Sequence, residues 1–317
     1  MTVQSFLKFV EIQTKLASVF PFLLGAAYSV YRFGVFRPAR FFVMFLSLIC
    51  FDMATTGMNN YIDFKTAAKR EGYNFQEQNA MGKYGIRPNT AVLTIAALLC
   101  LATFFGILLA LMTNIVVPAL GALCFIAGIG YTFGPLPISR TPFGEAVSGI
   151  VMGLGGVFLA AYVHVADAAL ITTDYTAGQL TVSLDIRGLV SIALFAAPPV
   201  FCIADMMLAN NLCDIEDDRA NQRKTLPISI GRKNALRLFA ALYALAYLSI
   251  PLGVALGDLP VYYMLGLLSG FFVYHNTLIF FKRQTKAETF SLSVKNFAII
   301  NTLNLLILLF AIAMKHL

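Results

Sequence analysis

Nine apolar runs of roughly 20 residues, the length a helix needs to cross a bilayer core, divide this chain almost from end to end. They cover approximately 16–36, 39–60, 89–112, 115–138, 144–165, 188–210, 233–256, 259–281 and 295–315. In lipid only helices and closed barrels satisfy every backbone N–H and C=O, and these runs lack the period-2 alternation of barrel strands. The expected fold is therefore all-α: a polytopic membrane protein of about nine transmembrane helices, with residues 1–317 forming one membrane-embedded domain. The composition agrees, with 59% hydrophobic and 12% charged residues where a soluble chain carries about a quarter charged. Lys8, Glu11 and Lys15 interrupt the first fifteen residues and no small-residue cleavage site follows. The first run is read as a span and not as a removed signal peptide.

Loop charge sets the orientation. Of the 23 Lys and Arg residues, Arg32, Arg37, Arg40, Arg187 and Lys315 fall on one side, and the other 18 fall with the N-terminus and the even-numbered loops. Cytoplasmic loops are the ones rich in Lys and Arg. The N-terminus and even loops are thus expected in the cytoplasm, as in a multi-pass protein of the cell membrane. The net charge of +7 then records topology and contact with the lipid bilayer, and no nucleic-acid partner is expected. The five cysteines lie within spans or at their ends, without a CxxC pair, which suits small apolar packing better than disulfides or zinc. Three scattered histidines make no metal cluster.

The second run ends in "FDMATTGMNNYIDFK" and the sixth in "IADMMLANNLCDIEDD". Both contain Asn-Asn-x-x-Asp, as Asn59, Asn60 and Asp63 and as Asn210, Asn211 and Asp214. The copies are four spans apart, so they emerge on the same side with the same polarity. This predicts parallel four-helix repeats with a ninth helix added. At 100° per residue Asn210, Asn211, Asp214 and Asp218 share one helical face, while Glu216 points away. In the first copy Asn59, Asn60 and Asp63 cluster likewise, with the deeper Asp52 almost in line with Asp63. Asn and Asp cap ordinary helix ends too. Two matching corners on one side are harder to explain that way, and ionisable groups near a bilayer usually serve function. Oxygen-only donors on two helices suit Mg²⁺, above all when a substrate's phosphates complete its shell.

These residues resemble the UbiA superfamily of intramembrane prenyltransferases, proteins of about nine helices with aspartate-rich motifs after helices 2 and 6. The second motif is intact in "NNLCDIEDDRANQRKTLPISIGR" as Asp214 and Asp218. Its wording is nearest to the branch that prenylates 1,4-dihydroxy-2-naphthoate in menaquinone biosynthesis. "QTKLASVFPFLLG" and "YTFGPLPISRTPFGE" extend the likeness over most of the chain. The first motif departs from the pattern: Asn60 stands where the family often has Asp, Ala67 where a later Asp is usual, and position 69 is Lys. Four residues after Tyr131, where many relatives carry a base, this chain has Pro135, and Arg140 is the nearest substitute.

The resemblance implies a polyprenyl diphosphate and a dihydroxynaphthoate-type aromatic acceptor as substrates, with Mg²⁺ as cofactor. Asp63, Asp214 and Asp218 are the expected catalytic carboxylates, and with Asn60 they form the expected metal set. Asn59, Asn60, Asn210, Asn211, Lys65, Lys224, Arg140, Tyr131 and Asp52 are the expected substrate contacts, the bases by charge-assisted hydrogen bonds to phosphate. A water-poor bundle suits the reaction, because an allylic cation is captured by any water that reaches it. Two other readings stay open. The fold is compatible with 4-hydroxybenzoate, homogentisate, a tetrapyrrole or a glycerol phosphate as acceptor. Intramembrane acids and repeats also mark cation-coupled transporters, although both corners lie at span ends and not at the midplane.

Overall fold

Helix boundaries follow the chain's prolines and glycines. Pro38 and Pro88 open the Pro38–Thr66 and Pro88–Leu111 helices, where a fixed φ is favourable and the missing N–H costs nothing. Gly34 closes the helix before them in the left-handed conformation, φ 68°, which a Cβ would disfavour. The structure is a computed structural model and describes residues 1–67, 79–166, 168–176 and 178–315.

Each of the nine apolar runs holds a helix. Among the described residues seven helices are long and apolar enough to cross a membrane: Ile12–Phe33, Pro38–Thr66, Pro88–Leu111, Gly144–Val165, Arg232–Ala255, Val261–Lys282 and Phe290–Lys315. The run at 188–210 folds as a pair, Ile186–Phe195 and Ala197–Cys213, bent by 46°. Pro198 and Pro199 sit in the first turn of the second member, where they cannot continue the preceding hydrogen-bond ladder. The fourth run gives only Val116–Thr132, 17 residues or about 25 Å at 1.5 Å per residue. Gly134 and Pro135 end it short of the roughly 30 Å hydrocarbon core. The residues that follow the fifth span form an antiparallel hairpin of Ile171–Thr176 and Gln179–Leu184.

Close backbone approach holds the bundle together. A Cβ on Gly25 would fall 2.2 Å from the Val157 carbonyl oxygen, and one on Gly153 would fall 2.6 Å from Val200 Cα. Gly153 lies in a π-helical stretch, Gly149–Gly155, that presses the fifth span onto the Ala197–Cys213 helix. One buried cluster centres on Phe22, Tyr28, Tyr162, Phe195 and Tyr263, and a second on Leu208, Phe239, Phe280 and Phe297. Leu93, Leu111, Ile126, Leu268 and Phe271 are exposed, as side chains that face lipid should be.

Candidate active site

Both Asn-Asn-x-x-Asp copies end their helices at the same end of the bundle, and basic side chains from elsewhere in the chain join them. After the Ile215–Ala220 helix the backbone reverses through Gln222, φ 56°, and the Arg223 amide donates back to the Asp218 carbonyl at 2.9 Å. The reversal aims the Arg223 guanidinium between the corners. Its Nη2 donates to Asp63 Oδ1 at 2.6 Å, and its Nη1 lies 3.6 Å from Asp218 Oδ1. Lys286 plays the matching part for Asp214. A turn following the Val261–Lys282 helix, closed by Thr285 N donating to Thr289 Oγ1 at 2.9 Å, delivers its ammonium to Asp214 Oδ2 at 2.5 Å and to Asn210 Oδ1. Three carboxylates thus share two clamped cations.

The remaining expected residues divide into two sets. Arg140 closes the same rim, its Nη2 donating to Thr66 Oγ1 at 3.1 Å and its carbonyl accepting from the Lys224 amide at 3.0 Å. The Lys224 side chain and Asn59 are exposed there, and the Lys65 ammonium rests 5.2 Å from the Tyr61 ring centre. Asn60 faces inward as a structural joint. Its Nδ2 donates to the Phe9 carbonyl and to Glu11 Oε1, both at 3.2 Å, and its Oδ1 accepts from the Ala80 amide. Asp52 is held by Lys15 Nζ at 2.6 Å and by the Ser18 hydroxyl at 2.5 Å, so its oxygens are already satisfied. Asn211 donates to Glu145 Oε1 at 2.8 Å. Lys69 lies outside the described residues.

The shared helical face expected of the second motif is split. Asp214 leaves helical geometry, φ −103° and ψ 11°, and separates the Ala197–Cys213 helix from the Ile215–Ala220 helix. Asn210 and Asp214 therefore face Lys286, Asn211 faces Glu145, and Asp218 faces Arg223. Glu216 projects into solvent, as its phase in the sequence implied, with a 76% exposed side chain.

Asp218 is a carboxylate of this site under electrostatic stress. Its side chain is 6% exposed, and burial pushes its pKa up to about 6 although Arg223 pulls it down and Asp214 adds a like charge. A buried carboxylate that one guanidinium leaves under-neutralised fits a site that takes further positive charge. Among the described residues no group of three His, Cys, Asp or Glu side chains converges to hold a metal ion. Mg²⁺ commonly takes one or two carboxylates and fills its octahedron with water and substrate phosphate, so it needs no all-protein cage.

The fold and this site define a helical membrane protein with a carboxylate-and-base centre at one end of the bundle. Residues 18–310 match the UbiA prenyltransferase family; the chain belongs to that family and is a prenyltransferase. It is 30% identical over 239 residues to the 1,4-dihydroxy-2-naphthoate octaprenyltransferase of Bacillus subtilis (strain 168), covering 74% of this chain and 68% of that protein. Its fold is similar to that of a UbiA homolog from Aeropyrum pernix K1 in the apo state, at 19% identity and TM-score 0.68 over 96% of this chain and 98% of that one. It is also similar to a UbiA homolog from Archaeoglobus fulgidus bound to GPP and Mg²⁺, at 15% identity and TM-score 0.67 over 98% and 99%.

Proposed function

We propose that this protein transfers a polyprenyl group from polyprenyl diphosphate to 1,4-dihydroxy-2-naphthoate, with loss of CO₂, to give a demethylmenaquinol, and that its carboxylate centre faces the cytoplasm. The observation that carries the reading is the Arg223 bridge between Asp63 and Asp218, which makes one charged centre of the two corners. The acceptor is supported by the identity to the Bacillus naphthoate octaprenyltransferase. The archaeal homolog bound to GPP and Mg²⁺ supports the donor and the metal.

Asp63, Asp214 and Asp218 would hold Mg²⁺, whose contribution is to neutralise the diphosphate and stabilise it as a leaving group. Arg223 and Lys286 add donors to phosphate oxygens from opposite sides, and Arg140 and Lys224 do so from the rim. The tail lies along the apolar bundle. Water is kept from the allylic carbon until the electron-rich ring attacks it.

The experiment is purified protein in lipid with a polyprenyl diphosphate, Mg²⁺ and a panel of hydroxyaryl acceptors. Prenylation of the naphthoate that stops with EDTA and returns with Mg²⁺ is expected. Full turnover in metal-free buffer, or selective prenylation of another acceptor, overturns the corresponding half of the proposal.

A further inference from the structure

Three buried polar atoms beside the carboxylate centre have no hydrogen-bond partner: Glu145 Oε2, the Tyr131 hydroxyl and Arg223 Nε. They belong to one neighbourhood. Tyr131 lies within electrostatic reach of both Glu145 and Arg223, and Glu145 of Asp218. Glu145 is 3% exposed and stands in the first turn of the fifth span. Its other oxygen is fixed by Asn211 at 2.8 Å, which leaves Oε2 as the free acceptor. Gly144 beside it leaves room: a Cβ there would lie 3.4 Å from the Tyr131 oxygen. Arg223 Nη2 donates to Asp63 and Nη1 lies 3.6 Å from Asp218, while the buried Nε meets no acceptor.

A buried donor or acceptor without a partner bears its full desolvation cost. Native proteins rarely leave three together unless something else completes them. We propose that Glu145, Tyr131 and Arg223 form the acceptor head-group subsite, and that Glu145 is a catalytic residue that exchanges a proton with the ring hydroxyl. The assignment rests on the prenyl-transfer reading above. The match is one of chemistry. An ortho-hydroxyaryl carboxylate presents an acceptor and a donor on adjacent carbons, the carboxylate to Arg223 Nε–H and the hydroxyl to Glu145 Oε2. The Tyr131 hydroxyl can serve either group. A para-hydroxybenzoate holds the same two groups across the ring, not on adjacent carbons.

The proton accounting closes. Glu145 Oε2 takes the hydroxyl proton as the O–H pair moves into the ring. The ring carbon that bears the carboxylate bonds to the allylic carbon, and the allylic C–O bond breaks with its pair leaving on the diphosphate. The resulting β-keto carboxylate loses CO₂, whose C–C pair passes back to the oxygen, and Glu145 returns the proton there. No outside acid or base is consumed.

The test is Glu145→Gln, which keeps the shape and the acceptor for Asn211 and removes the exchangeable proton site, with Glu145→Asp and Tyr131→Phe beside it. Each is assayed for binding of geranylgeranyl diphosphate with Mg²⁺, read by calorimetry, and for turnover of 1,4-dihydroxy-2-naphthoate. For Glu145→Gln we expect diphosphate binding within twofold of wild type and kcat for the naphthoate lower by about a hundredfold, the lower range for losing a general base. Glu145→Asp should recover part of that, and Tyr131→Phe should raise the acceptor KM more than it lowers kcat. Turnover of Glu145→Gln within threefold of wild type overturns the assignment while leaving the prenyl-transfer reading standing. Loss of diphosphate binding with turnover also overturns it, because Glu145 would then serve only to brace Asn211. A wild-type protein that prenylates no hydroxyaryl carboxylate removes both readings.

Discussion

Lowering pH should begin to weaken metal use near pH 6, two units above an ordinary carboxylate, because burial raises the pKa of Asp218 to about 6. The sign follows from competition. The acid's pKa is raised, so its protonated form persists to higher pH, and a proton on the carboxylate excludes a metal. For one competing proton the apparent metal affinity falls by 1 + 10^(pKa − pH). That is about twofold at pH 6 and about elevenfold at pH 5, whereas a carboxylate of pKa near 4 would lose only about a tenth at pH 5. The assay is kcat/KM for Mg²⁺ between pH 5 and 7.5 in lipid nanodiscs. Since the diphosphate titrates as well, the informative quantity is the ratio of wild type to Asp218→Asn, in which the side-chain titration is gone. Arg223→Gln removes the guanidinium that holds the pKa down, so its midpoint should move above 6. A ratio that stays flat from pH 5 to 7 would refute the claim that Asp218 is the stressed carboxylate at the metal.

Other perturbations follow from single contacts. Lys286→Met strips Asp214 and Asn210 of their shared cation; kcat/KM for the prenyl diphosphate should fall by at least about tenfold, given about 1.5–3 kcal/mol for a hydrogen bond to a charged group, and an unchanged value would assign Lys286 to folding alone. Gly153→Ala forces a Cβ to within 2.6 Å of Val200 Cα and should lower stability by about 1–3 kcal/mol, seen as a reduced Tm in detergent. Glu216→Ala should change neither turnover nor stability measurably, since its partner Arg219 is 3.4 Å away and both are exposed, where such pairs contribute about 0–1 kcal/mol. Accessibility tags near Arg223 and Lys286 should report one side and a tag near Asp174 the other.

The spans were legible because lipid burial demands long apolar runs, and each run did become a helix. Their interruptions were half legible. Pro198-Pro199 mark the bend in the sixth run, and Gly134-Pro135 explain the short fourth helix, which leaves eight helices long enough to span among the described residues when the bent pair is taken as one. The two aspartate corners could be read because they repeat. Their partners could not. Arg223 reaches Asp63 across 160 positions and Lys286 reaches Asp214 across 72, distances over which helical periodicity carries no information. Lys286 looks in the sequence like one more cytoplasmic base, and Glu145 like a first-turn acid at home in any helix. Asn60 and Asp52 were expected at substrate, and the structure spends their polar atoms on Phe9, Glu11, Lys15 and Ser18. A helical wheel gives the direction of a side chain but not which neighbour arrives first.

The most direct measurement is the fate of the acceptor's carboxyl carbon. Purified protein in lipid receives carboxyl-¹⁴C-labelled 1,4-dihydroxy-2-naphthoate, a polyprenyl diphosphate and Mg²⁺, and released gas and prenylated product are counted together. The account predicts one labelled CO₂ for each prenylated quinol, no label in the product, and no reaction without the diphosphate. Label retained in a prenylated product, or turnover of 4-hydroxybenzoate with the naphthoate ignored, would contradict it.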